Sequence, residues 1–402
     1  MEKRKLSMPY WCVGNPVGDP FGPGVLDHVS PLEVTDIICG AGKDGIIDYT
    51  SAHDDDLVPW NPENLEDDLD DKSETSKSLR IIKDKLDRAG IQFKMIGCNL
   101  HSNPVFRNGG IANPDPWTRL LAARKVMRAL RIGSFLGADY FTYWVARDGF
   151  ETQFAVPWER TFNYIKEGLN LVRRYIGEKN LTFKGATIEH KPNEPRGEMF
   201  LPTVGHALAL IMELEDPDFW GVNPEVLQHD QMTGLTSVAA IAFAASMDKL
   251  FFLHIGNQKP NQYDNDNPVL VGMDGIKEFI SIIYLLHRLN WKGYVEFDNH
   301  MLRTDTAPGE KNKIELRRKY IELVVDAYRV AEKKAVDLVN DRAIAEEQKS
   351  LWDSYPEIAG VLSTGKTEKI LNAKVDYRLV CEQPITIGKL DMLVNRKLLG
   401  ID

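Results

Sequence analysis

Seven side chains of the kinds that bind divalent cations lie between positions 189 and 298: Glu189, Glu225, His229, His254, Asp264, Asp266 and Asp298. Carboxylates crowded at one place repel one another and stay partly protonated unless a cation cancels them. The excess of oxygen donors points to Mg2+, Mn2+ or Co2+, and the two imidazoles move the preference toward the softer members of that list. In "QYDND" (262–266), Asp264 and Asp266 are two apart, on one side of an extended segment, as a shared ion requires. Taken singly, each has an ordinary reading: "DND" is a common solvated turn, a strand-end Glu makes surface ion pairs, and a His after "LFFL" can be a satisfied core residue. Seven together point to a metal site.

Two further groups have acid/base or charge-donating character. The acidic run "SAHDDDLVPWNPENLEDDLDD" (51–71) reads mostly as a solvated loop, but His53 and Asp56 are spaced so that the carboxylate can hold the imidazole tautomer and raise its basicity. In "ATIEHKPNEPRGEMF" (186–200), Lys191 follows Glu189 by two and shares its direction, while Pro192 and Pro195 stiffen the turn beyond them.

These residues need a scaffold that gathers distant segments. Eight short apolar or β-branched runs recur, at 8–13, 45–50, 92–98, 138–144, 183–189, 219–225, 250–255 and 293–298, with helix-patterned stretches such as "WTRLLAARKVMRALRIGSFLG" and "FNYIKEGLNLVRRYIG" between them. Alternating strands and helices in this number predict a (β/α)8 TIM barrel. Trp11, His53, Asn99, Trp144, Glu189, Glu225, His254 and Asp298 then fall at or just beyond the C-terminal ends of its strands, the face on which such barrels build their sites. The barrel is expected to occupy 1–325. Residues 326–402, with amphipathic helices such as "ITIGKLDMLVNRKLLGID", read as a C-terminal helical extension that packs as an arm on a neighbouring subunit, the alternative being a tail packed on its own barrel.

Composition narrows the ligand. A formal charge of -10 argues against a nucleic-acid surface, whose affinity comes from Lys and Arg. Four separated cysteines without a CxxC pair suggest reduced thiols in a cytoplasmic protein. The basic start "MEKRKLSMPYW" lacks a signal peptide's apolar run, and no stretch approaches the roughly 18 apolar residues of a membrane span.

The motifs "IEHKPNEPRGEMFLPTVGHALALI", "HDDDLVP", "GVNPEV", "HDQM", "QYDND", "VEFD" and "RTD", in that family's order, together with "DPFG" (19–22) and "KLDMLVNRKLLG", resemble the xylose isomerase (glucose isomerase) family, its actinobacterial-type branch in particular, over nearly the whole chain. The resemblance implies an aldose-ketose isomerase converting D-xylose or a related sugar by a metal-assisted 1,2-hydride shift, with two divalent metal ions per subunit in a homotetramer. It implies Glu189, Glu225 and Asp298 at the first ion, with His254 standing where the family has an aspartate in the same shell, and Glu225, His229, Asp264 and Asp266 at the second. Lys191 would donate to the sugar's O1, Trp11 and Trp144 would wall the pocket, Phe21 would reach in from a neighbouring subunit, and His53, oriented by Asp56, would assist ring opening. This chain departs from the pattern in several places. His254 replaces an aspartate, Gly97 and His101 replace a threonine and a phenylalanine of the substrate pocket, and His300 replaces a lysine. One extra residue separates Glu225 from His229, leaving Gln228 as a competing ligand. A sugar epimerase or lyase on a similar barrel, or a non-catalytic sugar-binding relative, are the alternative readings.

Overall fold

Pro9 has no backbone N–H to donate, so the first strand ends almost as soon as it begins: Leu6–Ser7 pairs in the sheet, and Tyr10–Gly14 turns into a short helix behind Pro9. The expected strand at 8–13 is therefore corrected to one placed earlier, and Trp11 stands on the helical turn that follows it. The second strand also shifts, from 45–50 to Tyr49–His53, because Gly45 at φ 69° turns the chain out of the preceding helix Pro31–Lys43. The other strands keep to the expected runs: strand three at Gln92–Gly97, four at Tyr140–Trp144, five at Gly185–Glu189, seven at Phe252–Ile255 and eight at Tyr294–Phe297. Strand six is broken by Asn223 and Pro224 into Trp220–Val222 and Glu225–Val226. The computed structural model describes residues 3–63, 69–70, 72–227, 229–270, 275–352, 360, 362–363, 366–382 and 384–401.

Every pairing in this sheet is parallel. The order runs six, five, four, three, two, one, eight, seven and back to the upper half of six, which closes a (β/α)8 TIM barrel. Helices that follow the strands include Glu74–Ala89, Pro116–Leu136, Trp158–Glu178 and Ser237–Ser246. Their boundaries are written in the sequence: Ser30 and Glu33 form a reciprocal capping box around Pro31, and Gly90 and Gly137 close helices in the left-handed conformation. Ile96, Phe141, Ile188, Val222, Leu253 and Val295 are buried on the outer face of the strands. The inner face is unusually polar, with Ser7, Thr142, Thr187, Glu225, His254 and Glu296, and the hydroxyls of Thr142 and Thr187 meet at 2.7 Å.

The chain divides into two compact units, residues 1–276 with 292–329, and residues 277–291 with 330–402. In the first, Arg317 is wholly buried and donates to four main-chain oxygens, of Val13 (2.6 Å), Lys313 (2.7 Å), Asn15 (3.0 Å) and Asp27 (3.3 Å). In the second, the helices Ile276–Arg288, Arg342–Trp352 and Ile387–Leu399 are joined by Lys277–Asp391 and Lys389–Glu347 ion pairs and by a Gln348–Tyr284 hydrogen bond of 2.9 Å. No helix among the described residues is long and apolar enough to cross a membrane.

Candidate metal centre and active site

Parallel register places in-line neighbours side by side with the same orientation, and His254 lies in register with Glu225 on one side and Glu296 on the other. Glu189 ends strand five and Asp298 directly follows strand eight, so both reach the same mouth. Among the described residues three groups of donor atoms result, each within 4.8 Å: Glu189, His254 and Asp298; Glu189, Glu225 and His229; and Glu225, Asp264 and Asp266. Glu189 and Glu225 are each shared by two groups.

The extra residue before His229 is taken up locally: Leu227 adopts φ 62°, and a one-turn helix, His229–Met232, starts at the histidine. The His229 ring is buried, with Nε2 2.7 Å from Glu225 Oε2 and 3.5 Å from Asp264 Oδ2. Gln228, its competitor, lies outside the described residues. His190, beside Glu189, is fully buried and faces Asp230 at 3.1 Å, tying the end of strand five to the turn that carries His229.

The electrostatics of this cluster are those of a site that wants a cation. Burial drives the Glu225 carboxyl well above its ordinary value, and His229 offsets this only in part. Burial would lower His229 and His254, yet Glu225 beside the first and Glu189 beside the second hold both rings well above the ordinary imidazole range. Asp264 and Asp298 are half-buried, which would raise them, but Lys191 pulls the first well down and His254 pulls the second down. His254 Nδ1 lies 3.1 Å from Glu189 Oε2 and 3.2 Å from Asp298 Oδ2, yet is aligned with neither as a hydrogen bond. Glu225 Oε1 and His229 Nε2, which faces Glu225 and Asp264, are likewise buried without a hydrogen-bond partner. Carboxylate oxygens and imidazole nitrogens that converge without hydrogen bonds between them fit a divalent ion, which would displace the ring protons.

Around this centre is a cavity of about 580 Å3 that also takes in Trp11, His53, Gly97, His101, Trp144 and Lys191. Trp11 Nε1 donates to Asp298 Oδ1 at 2.7 Å, and its ring lies 4.7 Å from that of His53. Lys191 Nζ donates to Asp264 Oδ2 at 2.6 Å, and Asp264, Asp266 and Glu194 keep the ammonium charged despite its burial. The loop behind Lys191 is anchored by Arg196, which pairs with Glu151 through two nitrogens and donates to Arg147 O at 3.2 Å. His53 Nδ1 is 3.4 Å from Asp56 Oδ2, and the same oxygen accepts from the His53 backbone N–H at 2.7 Å. Burial would lower the His53 ring, but Asp56 outweighs it and holds the pKa above its ordinary value. His101 stands 5.7 Å from His53 and 5.0 Å from Trp144, ring to ring; burial and the neighbouring His53 charge push its pKa down to about 3, so it is neutral at working pH. His300 Nε2 pairs with Asp266 Oδ2 at 2.9 Å. Phe21 is not part of its own chain's cavity: it stands 98% exposed on the Asp19–Gly22 turn, which Arg303 braces through Asp19 (3.1 Å), Val17 O and Pro23 O.

The structure corrects one expectation about the acidic run. Asp54 is not solvated but fully buried, with Lys125 Nζ at 2.8 and 2.7 Å from its two oxygens and Arg128 at 3.3 Å. It also accepts from Asn99 N at 2.9 Å, so this pair braces the turn on which His53 and Asp56 stand. Asp55 faces the cavity, its carboxyl pushed by burial and by Asp54 up to about 7. A lysine in mid-helix, at position 125, was the available signal for a buried acidic partner. Asn223 and Glu296 also escaped notice: Asn223 Nδ2 donates to Glu189 Oε2 at 3.1 Å, and Glu296 meets His254.

In a parallel (β/α)8 barrel the C-terminal mouth is the face on which active sites are built, and here it gathers carboxylates and imidazoles that could hold a metal ion, with the His53–Asp56 pair beside them. Residues 50–323 match the family described as xylose isomerase-like TIM barrel. The chain is 32% identical over 307 residues to the xylose isomerase of Thermus thermophilus, covering 76% of this chain and 75% of that one. It is 29% identical over 402 residues to the xylose isomerase of Thermus caldophilus, covering 99% and 98%. The solved structure of an L-ribulose 3-epimerase is similar at a TM-score of 0.55 and 16% identity, covering 85% of this chain and 99% of that one; this is a likeness of fold. The chain belongs to the xylose isomerase-like TIM barrel family.

Proposed function

We propose that the protein is a divalent-metal-dependent aldose-ketose isomerase acting on D-xylose or a related neutral sugar, with relatives in the actinobacterial-type branch. The observation that carries this reading is the division of labour in one cavity. Glu189, Glu225, His229, His254, Asp264, Asp266 and Asp298 form overlapping ligand groups, while His53 with Asp56, Lys191 and two indoles face them without belonging to any group.

Two divalent ions, Mg2+, Mn2+ or Co2+, bound in the overlapping groups would polarise the sugar carbonyl and grip its hydroxyl oxygens. The protein's own groups do the rest. His53, its Nδ1 side turned to Asp56, offers Nε2 to move a proton at the ring oxygen and open the cyclic sugar. In the open chain, hydrogen passes with its electron pair from C2 to C1 and the O2 proton is delivered to O1, which turns a C1 aldehyde into a C2 ketone. Lys191 supplies positive charge where O1 becomes anionic. Trp11 and Trp144 keep water from the migrating hydrogen. Gly97 and neutral His101 shape the wall that selects the sugar. Phe21 and the segment beyond about 325 would complete a homotetramer, Phe21 by entering a neighbour's pocket.

The test is isotopic. With metal-reconstituted protein and a panel of pentoses and hexoses carrying deuterium at C2, the expected product is the ketose with deuterium retained at C1. Complete loss of label to solvent would replace hydride shift by proton transfer, and inversion at C3 of an unlabelled ketose offered beside the aldoses, with its carbonyl unmoved, would make the protein an epimerase.

A further inference from the structure

Glu296 is a wholly buried carboxylate with no lysine or arginine paired to it among the described residues. Its two partners are His254 Nε2, 3.0 Å from Oε1, and the Ser7 hydroxyl, which donates to Oε2. The contacts follow from register: Ser7 on strand one and His254 on strand seven are the in-line neighbours of Glu296 on strand eight, so all three point into the barrel one layer beneath Asp298. Burying a carboxylate is costly unless it is paired, and among the described residues it is the His254 ring that can bring positive charge to this one.

We infer that Glu296 is a positioning residue of the metal centre: it holds the proton of His254 on Nε2 and so presents Nδ1 as the donor atom toward Glu189 and Asp298. The inference rests on the metal reading above. An imidazole ligand whose remote N–H is held by a carboxylate is oriented, and is more basic than one left to water. The arrangement also explains how the cluster tolerates a neutral histidine where the resembled family carries an aspartate. The negative charge is retained in the barrel, one residue further from the ion, behind the ring instead of in contact with the metal.

The experiment uses the full-length, chelator-stripped protein as wild type, Glu296→Gln, His254→Asp and the double variant, with Mn2+ and Mg2+ affinities read by calorimetry and the metal-free thermal midpoint as control. Glutamine keeps an acceptor for His254 Nε2 and removes the charge. The expected result is Mn2+ binding weaker by about 10- to 100-fold in E296Q, the usual cost of losing an outer carboxylate, with the metal-free midpoint showing that the variant remains folded. In the His254→Asp background the same substitution should change Mn2+ affinity less than about threefold, since no imidazole remains to orient. Wild-type affinity in E296Q, or an equal loss in both backgrounds, would overturn the inference while leaving the metal reading intact. If wild type itself takes up no Mn2+, both fall. Should E296Q fail to fold, Ser7→Ala releases the second donor and is expected to weaken Mn2+ several-fold; unchanged affinity there would count against the role.

Discussion

Gly97 lies directly under the His53 ring: a Cβ added at that position would stand 2.8 Å from His53 Cδ2. The two residues are in register on strands three and two, so neither can slide away without disturbing the ladder. Gly97→Ala is therefore expected to push the imidazole off Asp56. Turnover on the preferred sugar should fall by at least about tenfold, with a stability loss of about 1–3 kcal/mol from overpacking. Steady-state kinetics beside a urea titration checks it, and full turnover in G97A would remove His53 from the proposed machinery.

Glu225 is a member of two ligand groups, so its loss strikes both. EDTA should abolish activity, and Mn2+ or Co2+ should restore it at least as well as Mg2+, given the two imidazoles. Glu225→Gln should leave far-ultraviolet circular dichroism unchanged and reduce turnover by several orders of magnitude. Near-normal turnover in E225Q would mean the ligand set is wrongly assigned.

The buried Asp54–Lys125 pair predicts a stability effect without a direct catalytic one. Lys125→Met strands the Asp54 charge in the interior and should cost about 3–5 kcal/mol, the usual consequence of removing one partner of a buried ion pair. Equilibrium unfolding reads this directly, and a change under about 1 kcal/mol would show that water or Arg128 can take over.

Stability should depend on pH in opposite senses with and without metal. In the metal-free protein His229 and His254 titrate well above the ordinary imidazole value. A raised folded-state pKa contributes stability that is fully present below the unfolded value of about 6.5 and is lost as pH rises through the folded one. Metal binding needs both rings neutral, so its stabilisation grows over the same range. The midpoint gain on adding Mn2+ should therefore increase from pH 6 to pH 8.5 in a thermal-shift series; a gain that is flat or shrinks with pH would mean that no imidazole takes part.

Much of this was legible in the chain. Strands three, four, five, seven and eight sit inside their apolar runs, because turn residues bound each run and the strand ends carry residues no core would choose. Strands one and two fall elsewhere for a physical reason: the hydrophobicity of "MPYWCV" and "GIIDYT" is as compatible with a helical turn or a turn beside a helix as with a strand. The buried polar groups were the hardest to see. Asp54 was hidden in a run of solvated acids, and Glu296 passed as part of a strand motif, although period-two alternation from Asp298 already pointed it inward.

The assembly proposal has its own check. If Phe21 enters a neighbour's pocket, the native particle should be a tetramer or at least a dimer by light scattering. Truncation from about residue 330 should then lower both mass and activity. A fully active monomer would contradict it.

Arg317 also bears on the order of synthesis. The carbonyls it gathers, at Val13, Asn15 and Asp27, leave the ribosome nearly the whole length of the barrel before the guanidinium does, and strand one waits equally long for its partner at Val295 and Glu296. Until then the nascent chain carries an unpaired strand edge and an untethered first loop, the kind of surface that chaperones hold. Closure of the barrel, and with it the place of Asp298 just behind strand eight, thus waits until translation has delivered that last strand.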